Sequence, residues 1–284
     1  MTDPSLRRLQ LFELDILKDV DRVCRENNIR YFLYAGTCLG AVRHKGFIPW
    51  DDDIDIAMHV QDYMRFLEIA QKELGDDYFV QTHETDSNYQ FMFAKVRKNH
   101  TTMIAPWQQE SEMHHGIWID INPLIYVSSE KDFKKKRHLI TYTNMLCLNG
   151  DMYWGEKKWK KQQKRYVPYL LLLTTRLFSR KQREKLVSRI RNRLLFAEKQ
   201  ENMSGVWGTI TSYAPARAYE GEPVILPFED SSFPVPPDYD LALTGWYGDY
   251  MTPPPEEKQV SKHGDLFIDY EHSWEEIDHS TLDV

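Results

Sequence analysis

The 284-residue sequence predicts an α+β fold: a mixed β-sheet with packing helices and a basic helical insertion. Three observations predict it. Apolar residues recur at helical spacing over 4–26 and 60–74. Short apolar or alternating runs at 31–35, 53–56, 78–81, 91–96 and 116–124 read as strands. Cations crowd into one section, with 20 Lys and Arg against 5 Asp and Glu between Lys131 and Lys199, although the whole chain carries a net charge of −7.

Composition bounds the class. A hydrophobic content of 42% with 28% charged residues is that of a soluble globular protein, long enough for one large core. No run approaches the roughly 18 apolar residues of a membrane span, and the N-terminal MTDPSLRRLQ lacks the apolar core of an export signal. Cys24, Cys38 and Cys147 show no paired spacing and read as buried thiols in a reducing compartment. The expected address is cytoplasmic. The chain divides into a core over 1–128, the basic insertion over 129–200, and a C-terminal part over 201–284 that completes the site within one compact unit.

Asp3-Pro4 opens the first helix, a capping carboxylate followed by proline. Leu9, Phe12, Ile16, Val20 and Val23 line one face, and Asn27-Asn28 ends it. It reads as a packing helix without chemistry, Arg7 and Arg8 lying on its solvated face. Tyr31 to Ala35 then reads as a buried strand stopped by a Gly36-Thr37 turn. Thr37 to Val42 forms one or two helical turns whose amides face beyond the strand end. Gly46 and Pro49 force a loop.

Asp51-Asp52-Asp53-Ile54-Asp55-Ile56 follows. Its alternation from Asp53 onward is that of a strand with two faces, Ile54 and Ile56 inward, Asp53 and Asp55 together on the other side. Like charges that close stay ionised when a cation sits between them, and all-oxygen ligation suits Mg²⁺. Acidic residues at a strand edge also serve simply to block aggregation. Four carboxylates packed between Asp51 and Asp55, directly after a glycine turn, favour the metal site.

Val60 to Leu74 is an amphipathic helix stopped by Gly75, and Tyr78 to Gln81 and Phe91 to Val96 are strands. Lys95 and Arg97 share a face, either to hold a phosphate or to balance the acids. Gly116 to Leu124 is an apolar strand around a single carboxylate, Asp120, with Pro123 ending it. Asp120 is either a hydrogen-bonded structural residue or a third metal carboxylate, since a buried charge without partners is expensive. The His114-His115 pair has no Cys or His partner at zinc-ligand spacing.

In the basic section, 131–150 and 176–199 read as helices, with Leu186, Ile190, Leu194 and Leu195 on one side of the second. Trp154 to Arg165 adds cations, and Tyr169 to Leu173 is apolar but too short to span. The section suits either a helical subdomain with one face in the core or a patch lying on an anionic membrane. No nucleic-acid motif is present. In the last third, 209–219 and 227–237 read as short strands and turns. Trp246, Tyr247 and Tyr250 either wall a pocket for a base or quaternary ammonium or fill a small core. The acidic tail over 265–284 reads as peripheral.

The run GTCLGAVRHKGFIPWDDDIDIAM resembles the signature of the LicD family of phosphotransferases, which includes the fukutin-related proteins. Further matches are Lys95-Val96-Arg97 followed by Thr101, Ile119-Asp120-Ile121-Asn122-Pro123-Leu124, Phe228-Glu229, the proline-rich 233–236, and Tyr247-Gly248-Asp249-Tyr250-Met251 before prolines and His263. The resemblance implies a nucleotidyltransferase-like core. It implies Mg²⁺, two ions or Mn²⁺ in their place, held by Asp51, Asp53, Asp55 and Asp120. Asp53, Asp55 and Asp120 are the implied catalytic set, with Asp120 the candidate base. Gly36, Thr37, Arg43, His44, Lys95 and Arg97 are implied at the donor phosphates, and Trp50, Trp246, Tyr247, Tyr250 and His263 in the pocket for the alcohol or base. The implied donor is a CDP-alcohol, CDP-choline foremost. The implied acceptor is a hydroxyl of a cell-surface glycan (teichoic acid, lipopolysaccharide or capsule precursor), lipid-linked at the inner membrane face. Two rivals stand beside it: a nucleotidyltransferase releasing pyrophosphate, and an inactive membrane-surface scaffold.

Overall fold

The computed structural model describes residues 3–89, 91–105, 113–147, 177–196, 202–204, 214–261, 263–264 and 266–277. The stretches Trp154 to Arg165 and Tyr169 to Leu173 lie outside them, as does 209–213.

The first helix, α1 (Pro4–Glu26), is capped by Asp3, whose carboxylate accepts from the Ser5 amide at 3.0 Å. Leu9, Ile16, Val20 and Val23 are buried and carry it across the sheet. Arg8 is exposed, as expected, whereas Arg7 is half-buried. Arg7 forks onto Glu229 at 3.0 and 2.5 Å, and the Arg8 guanidinium lies 3.9 Å from the Tyr270 ring centre.

A short strand β1 (Phe32–Leu33) runs into α2 (Ala35–His44). The expected glycine turn is not a turn at all, because Gly36 and Thr37 already lie in the first turn of α2. The change of direction falls on Ala35, whose φ of 45° is left-handed, a conformation that is uncommon for a residue with a Cβ.

After the loop come β2 (Asp55–His59), α3 (Val60–Leu74), β3 (Tyr78–Gln81), β4 (Ala94–Lys98), β5 (Thr102–Ile104) and β6 (Trp118–Val127). The main sheet has the order β1-β2-β6-β4-β3, with β2 and β6 parallel and the other pairs antiparallel. Phe91 to Phe93 precede β4 rather than belonging to it. Pro123 does not end its strand either, since β6 continues to Val127. On that edge β4 pairs only with 118–121, and β7 (Asn202–Ser204) only with 125–127. Pro123 falls in the gap between them, where no neighbour asks for its missing N–H.

Downstream of β6, α4 (Glu130–Cys147) and α5 (Arg180–Leu195) form the described part of the basic section. Ser179 and Gln182 close a reciprocal capping box at the start of α5. Leu194, Leu195 and Ile140 pack with Val60 and Ile125, so one face of this section lies in a core. Strand β8 (Ala214–Pro215) then pairs with β7. Strands β9 (Val224–Phe228) and β10 (Ser231–Val235) form a hairpin, followed by α6 (Tyr239–Tyr247), capped by Asp238. The described part of the tail is not wholly peripheral. Strand β11 (Phe267–Asp269) pairs with β5, and Leu266, Ile268 and Tyr270 pack on the main core, because apolar residues alternate with the acids there. Among the described residues, no helix is long and apolar enough to cross a membrane.

Candidate active site

One row of residues crosses the sheet in register: Asp55 on β2, Asp120 on β6, Lys95 on β4 and Gln81 on β3. Residues opposite one another on paired strands share a face, so the two carboxylates are neighbours and Lys95 flanks Asp120. The Lys95 ammonium donates to Asp120 Oδ1 and is only 4% exposed. It lies 4.2 Å from the Trp118 ring centre and 5.2 Å from that of Phe93. Burial holds its pKa below the usual lysine value, against the pull of Asp120.

Asp55 is oriented twice. Its amide donates to Thr37 Oγ1 at 2.9 Å, tying the first residue of β2 to the first turn of α2. Asn122 Nδ2 donates to its Oδ1, also at 2.9 Å. Ile54 and Ile56 are fully buried, as the alternation predicts, although β2 begins only at Asp55 and Asp53 precedes it.

Carboxylate oxygens of Asp51, Asp52 and Asp53 lie within 4.8 Å of one another. Asp51 is buried beneath Gly36, where a Cβ would stand 2.5 Å from Asp51 Oδ2. Gly36 is therefore needed for this close approach. Gln10 Nε2 on α1 holds the Asp51 carbonyl at 2.9 Å. Asp52 accepts from the Ser261 hydroxyl, from the His263 amide at 3.3 Å and from His263 Nδ1 at 3.1 Å. Burial acts to raise the Asp52 pKa, but the bonds and charge from His263 and Ser261 outweigh it and hold it below the usual range. Burial acts to lower His263, yet Asp52 and the charge of Asp53 push it up to about 9. His263 is thus a cation bound to Asp52, and also sits edge-on to Trp118 at 6.1 Å.

The remaining expected residues fall into two sets. Arg97 is wholly buried and donates to Gln81 Oε1 at 2.5 Å and to the Gly116 carbonyl at 2.7 Å, with burial lowering its pKa to about 10. It serves the sheet interior. Arg43 donates to His44 Nε2 at 2.9 Å and to the Tyr250 carbonyl at 2.7 Å, and His44 lies edge-on to Trp50 at 6.3 Å. Burial and then Arg43 lower the His44 pKa, so this group is neutral. Trp246 packs edge-on against Tyr34 at 4.5 Å, and Tyr250 is buried with its hydroxyl donating to Asp240 at 2.7 Å. Tyr247 is 41% exposed at the end of α6, and desolvation of its hydroxyl, then the charges of Asp51, Asp55 and Asp53, raise its pKa. His114 stacks on Phe79 and bonds Asn99 at 2.8 Å, and among the described residues the candidate metal cluster is Asp51, Asp52 and Asp53.

Asn122 and Ser261 escaped sequence reasoning. Asn122 shares the Ile-Asp-Ile-Asn-Pro run with Asp120 and could have been read from it. Ser261 carries no local signal.

Residues 28–152 match the family model described as LicD/FKTN/FKRP, nucleotidyltransferase domain. The chain is 33% identical over 272 residues to the lipopolysaccharide cholinephosphotransferase LicD of Haemophilus influenzae, covering 91% of this chain and 96% of that protein. The chain belongs to the LicD family. Shorter similarities reach the mouse ribitol-5-phosphate transferase FKTN, 31% identical over 61 residues, and the human ribitol 5-phosphate transferase FKRP, 38% over 47. These cover 22% and 16% of this chain, and 13% and 10% of those proteins. As a member of the LicD family the protein is an enzyme, a phosphotransferase. The family-model match takes in Asp51, Asp52, Asp53, Asp55, Lys95 and Asp120.

Proposed function

We propose that this LicD-family enzyme transfers a phospho-alcohol, phosphocholine foremost, from a CDP-alcohol to a hydroxyl of a cell-surface glycan, on a nucleotidyltransferase-like fold. The observation that carries the reading is the row Asp55–Asp120–Lys95, joined at one end of the sheet by the cluster Asp51–Asp53. End-to-end similarity to a lipopolysaccharide cholinephosphotransferase supports the donor and acceptor class.

The donor set suits a hard divalent cation, being carboxylate oxygen throughout. Asp53, Asp55 and Asp120, with Asp51, would hold Mg²⁺ or Mn²⁺. When bound, such a cation neutralises the donor phosphates and the developing charge on the leaving group. The chain's own residues do the rest. Thr37 and Asn122 fix Asp55, and Lys95 fixes Asp120 so that its carboxylate can take the proton of the acceptor hydroxyl. His263 pins Asp52 and so holds the acidic loop in place. Tyr247, exposed at the end of α6 and edge-on to Trp246, would line the approach for the alcohol end of the donor. The exposed cations of α4 and α5 suit an anionic lipid surface carrying the acceptor.

The test is a donor panel of CDP-choline, CDP-ethanolamine, CDP-glycerol, CDP-ribitol and CTP with Mg²⁺ and a glycan acceptor, scored by nucleotide product. CMP from one CDP-alcohol, lost in Asp53→Asn, supports the reading and names the donor. Pyrophosphate from CTP instead would make the enzyme a nucleotidyltransferase.

A further inference from the structure

The inner face of α1 is apolar except at Gln10, Glu13 and Asp21, and Asp21 is accounted for by the Tyr31 hydroxyl, which donates to it at 2.8 Å. Gln10 and Glu13 stand one turn apart among Leu9, Leu14, Ile16 and Leu17, and are 1% and 0% exposed. Polar residues on a buried helix face require an explanation, because an apolar side chain there would cost less. For Gln10 the explanation is complete. Its amide donates to the Asp51 carbonyl at 2.9 Å and to the Ile48 carbonyl at 3.3 Å, and its oxygen accepts from Arg7 at 3.2 Å.

Glu13 has no such account. Among the described residues, neither of its carboxyl oxygens has a hydrogen-bond partner. A buried polar group left unmatched costs about 1–3 kcal/mol, so the position acts against stability in the cation-free protein. Its surroundings are specific. Helix α1 lies across β4 and β6, the strands that carry Lys95 and Asp120. One turn earlier, Gln10 grips the backbone of Asp51. Burial, and then the charges of Asp53, Asp52, Asp51 and Asp120, hold the Glu13 carboxyl well above the usual carboxylate range. Glu13 therefore stands, buried, one turn from the point where α1 holds the backbone of the acidic loop.

We propose that Glu13 is a further carboxyl of the cation site, a positioning residue that accepts hydrogen bonds from the water shell of a divalent cation seated among Asp51, Asp53, Asp55 and Asp120. This supplies the partners its oxygens lack, and explains why an acid occupies an apolar helix face. Metal sites depend on such outer partners, whose loss typically costs 10–100-fold in affinity. The inference rests on the cation reading of the site and extends it to a residue on an element with no other chemical role.

The experiment is Mn²⁺ binding to the purified protein without donor or acceptor, followed by the electron-spin resonance of free Mn²⁺, with melting temperatures measured in parallel. Wild type, Glu13→Gln and Glu13→Leu are compared. Both variants should bind Mn²⁺ about 10–100-fold more weakly, while melting no lower than wild type when cation-free. Equal affinities would overturn the role of Glu13 and leave the cation site standing. Failure of wild type to bind Mn²⁺ would overturn both. Failure of both variants to fold would make Glu13 a core residue and overturn the proposal.

Discussion

Asp55 and Asp120 are direct register partners on two parallel neighbouring strands, and each is steadied by a different group, Asn122 for the first and Lys95 for the second. Neither strand alone makes the site. The parallel pairing brings together two acids 65 positions apart in the chain.

Neutralising either member should separate activity from stability. Asp55→Asn or Asp120→Asn is expected to lower kcat by at least about 100-fold, the scale of removing one preorganised electrostatic group. The cation-free melting temperature of Asp55→Asn should hold or rise, since like-charge repulsion is relieved. Steady-state kinetics and thermal melts in EDTA check both.

Lys95 carries the opposite prediction. Its ammonium is buried against Asp120 among aromatic rings, and breaking a buried pair from one side costs about 3–5 kcal/mol. Lys95→Met should lose that amount in urea unfolding. The double variant Lys95→Met/Asp120→Asn should recover much of it, because no unpaired charge remains.

The Asp52–His263 pair gives a pH signature. The His263 pKa is raised to about 9 in the folded protein, against about 6.5 unfolded. Its contribution is therefore full below about pH 6.5 and is lost as pH rises through about 9. The Asp52 pKa is depressed, so its share is present above its unfolded value and lost as pH falls through the folded one. In EDTA, wild type should lose on the order of 2–3 kcal/mol between neutral pH and pH 10, and His263→Gln should be flat over that window.

Two glycines of α2 should respond differently to alanine. At Gly36 the new Cβ meets the end of the Asp51 side chain at 2.5 Å; at Gly40 it meets the Gly46 carbonyl oxygen at 2.4 Å. A carboxylate can swing aside and a backbone carbonyl cannot. Gly36→Ala should weaken Mn²⁺ binding with little loss of stability. Gly40→Ala should cost about 1–3 kcal/mol, read from chemical denaturation.

The acidic strand is legible in the sequence because alternation alone assigns its two faces: Ile54 and Ile56 are fully buried as their spacing requires. Asp120 is legible as an acid in an apolar run, though its pairing with Asp55 is not, since register between distant strands leaves no local mark. Arg97 shows the limit. Its spacing from Lys95 places both on one face, yet only packing decides that Lys95 turns to Asp120 while Arg97 is spent on Gln81 and Gly116. Glu13 is hidden within a helix whose pattern speaks only through its apolar positions. His263 is visible as a motif residue, but its bond to Asp52 spans 211 positions.

Pro123 divides a single strand between two tasks. Upstream of it β6 holds Asp120 against β2 and β4; downstream it anchors the returning β7. The register of the candidate carboxylates is set before the chain leaves for its basic excursion. The excursion thus leaves and returns downstream of that pairing, and the Asp55–Asp120 register does not depend on the length of chain between β6 and β7.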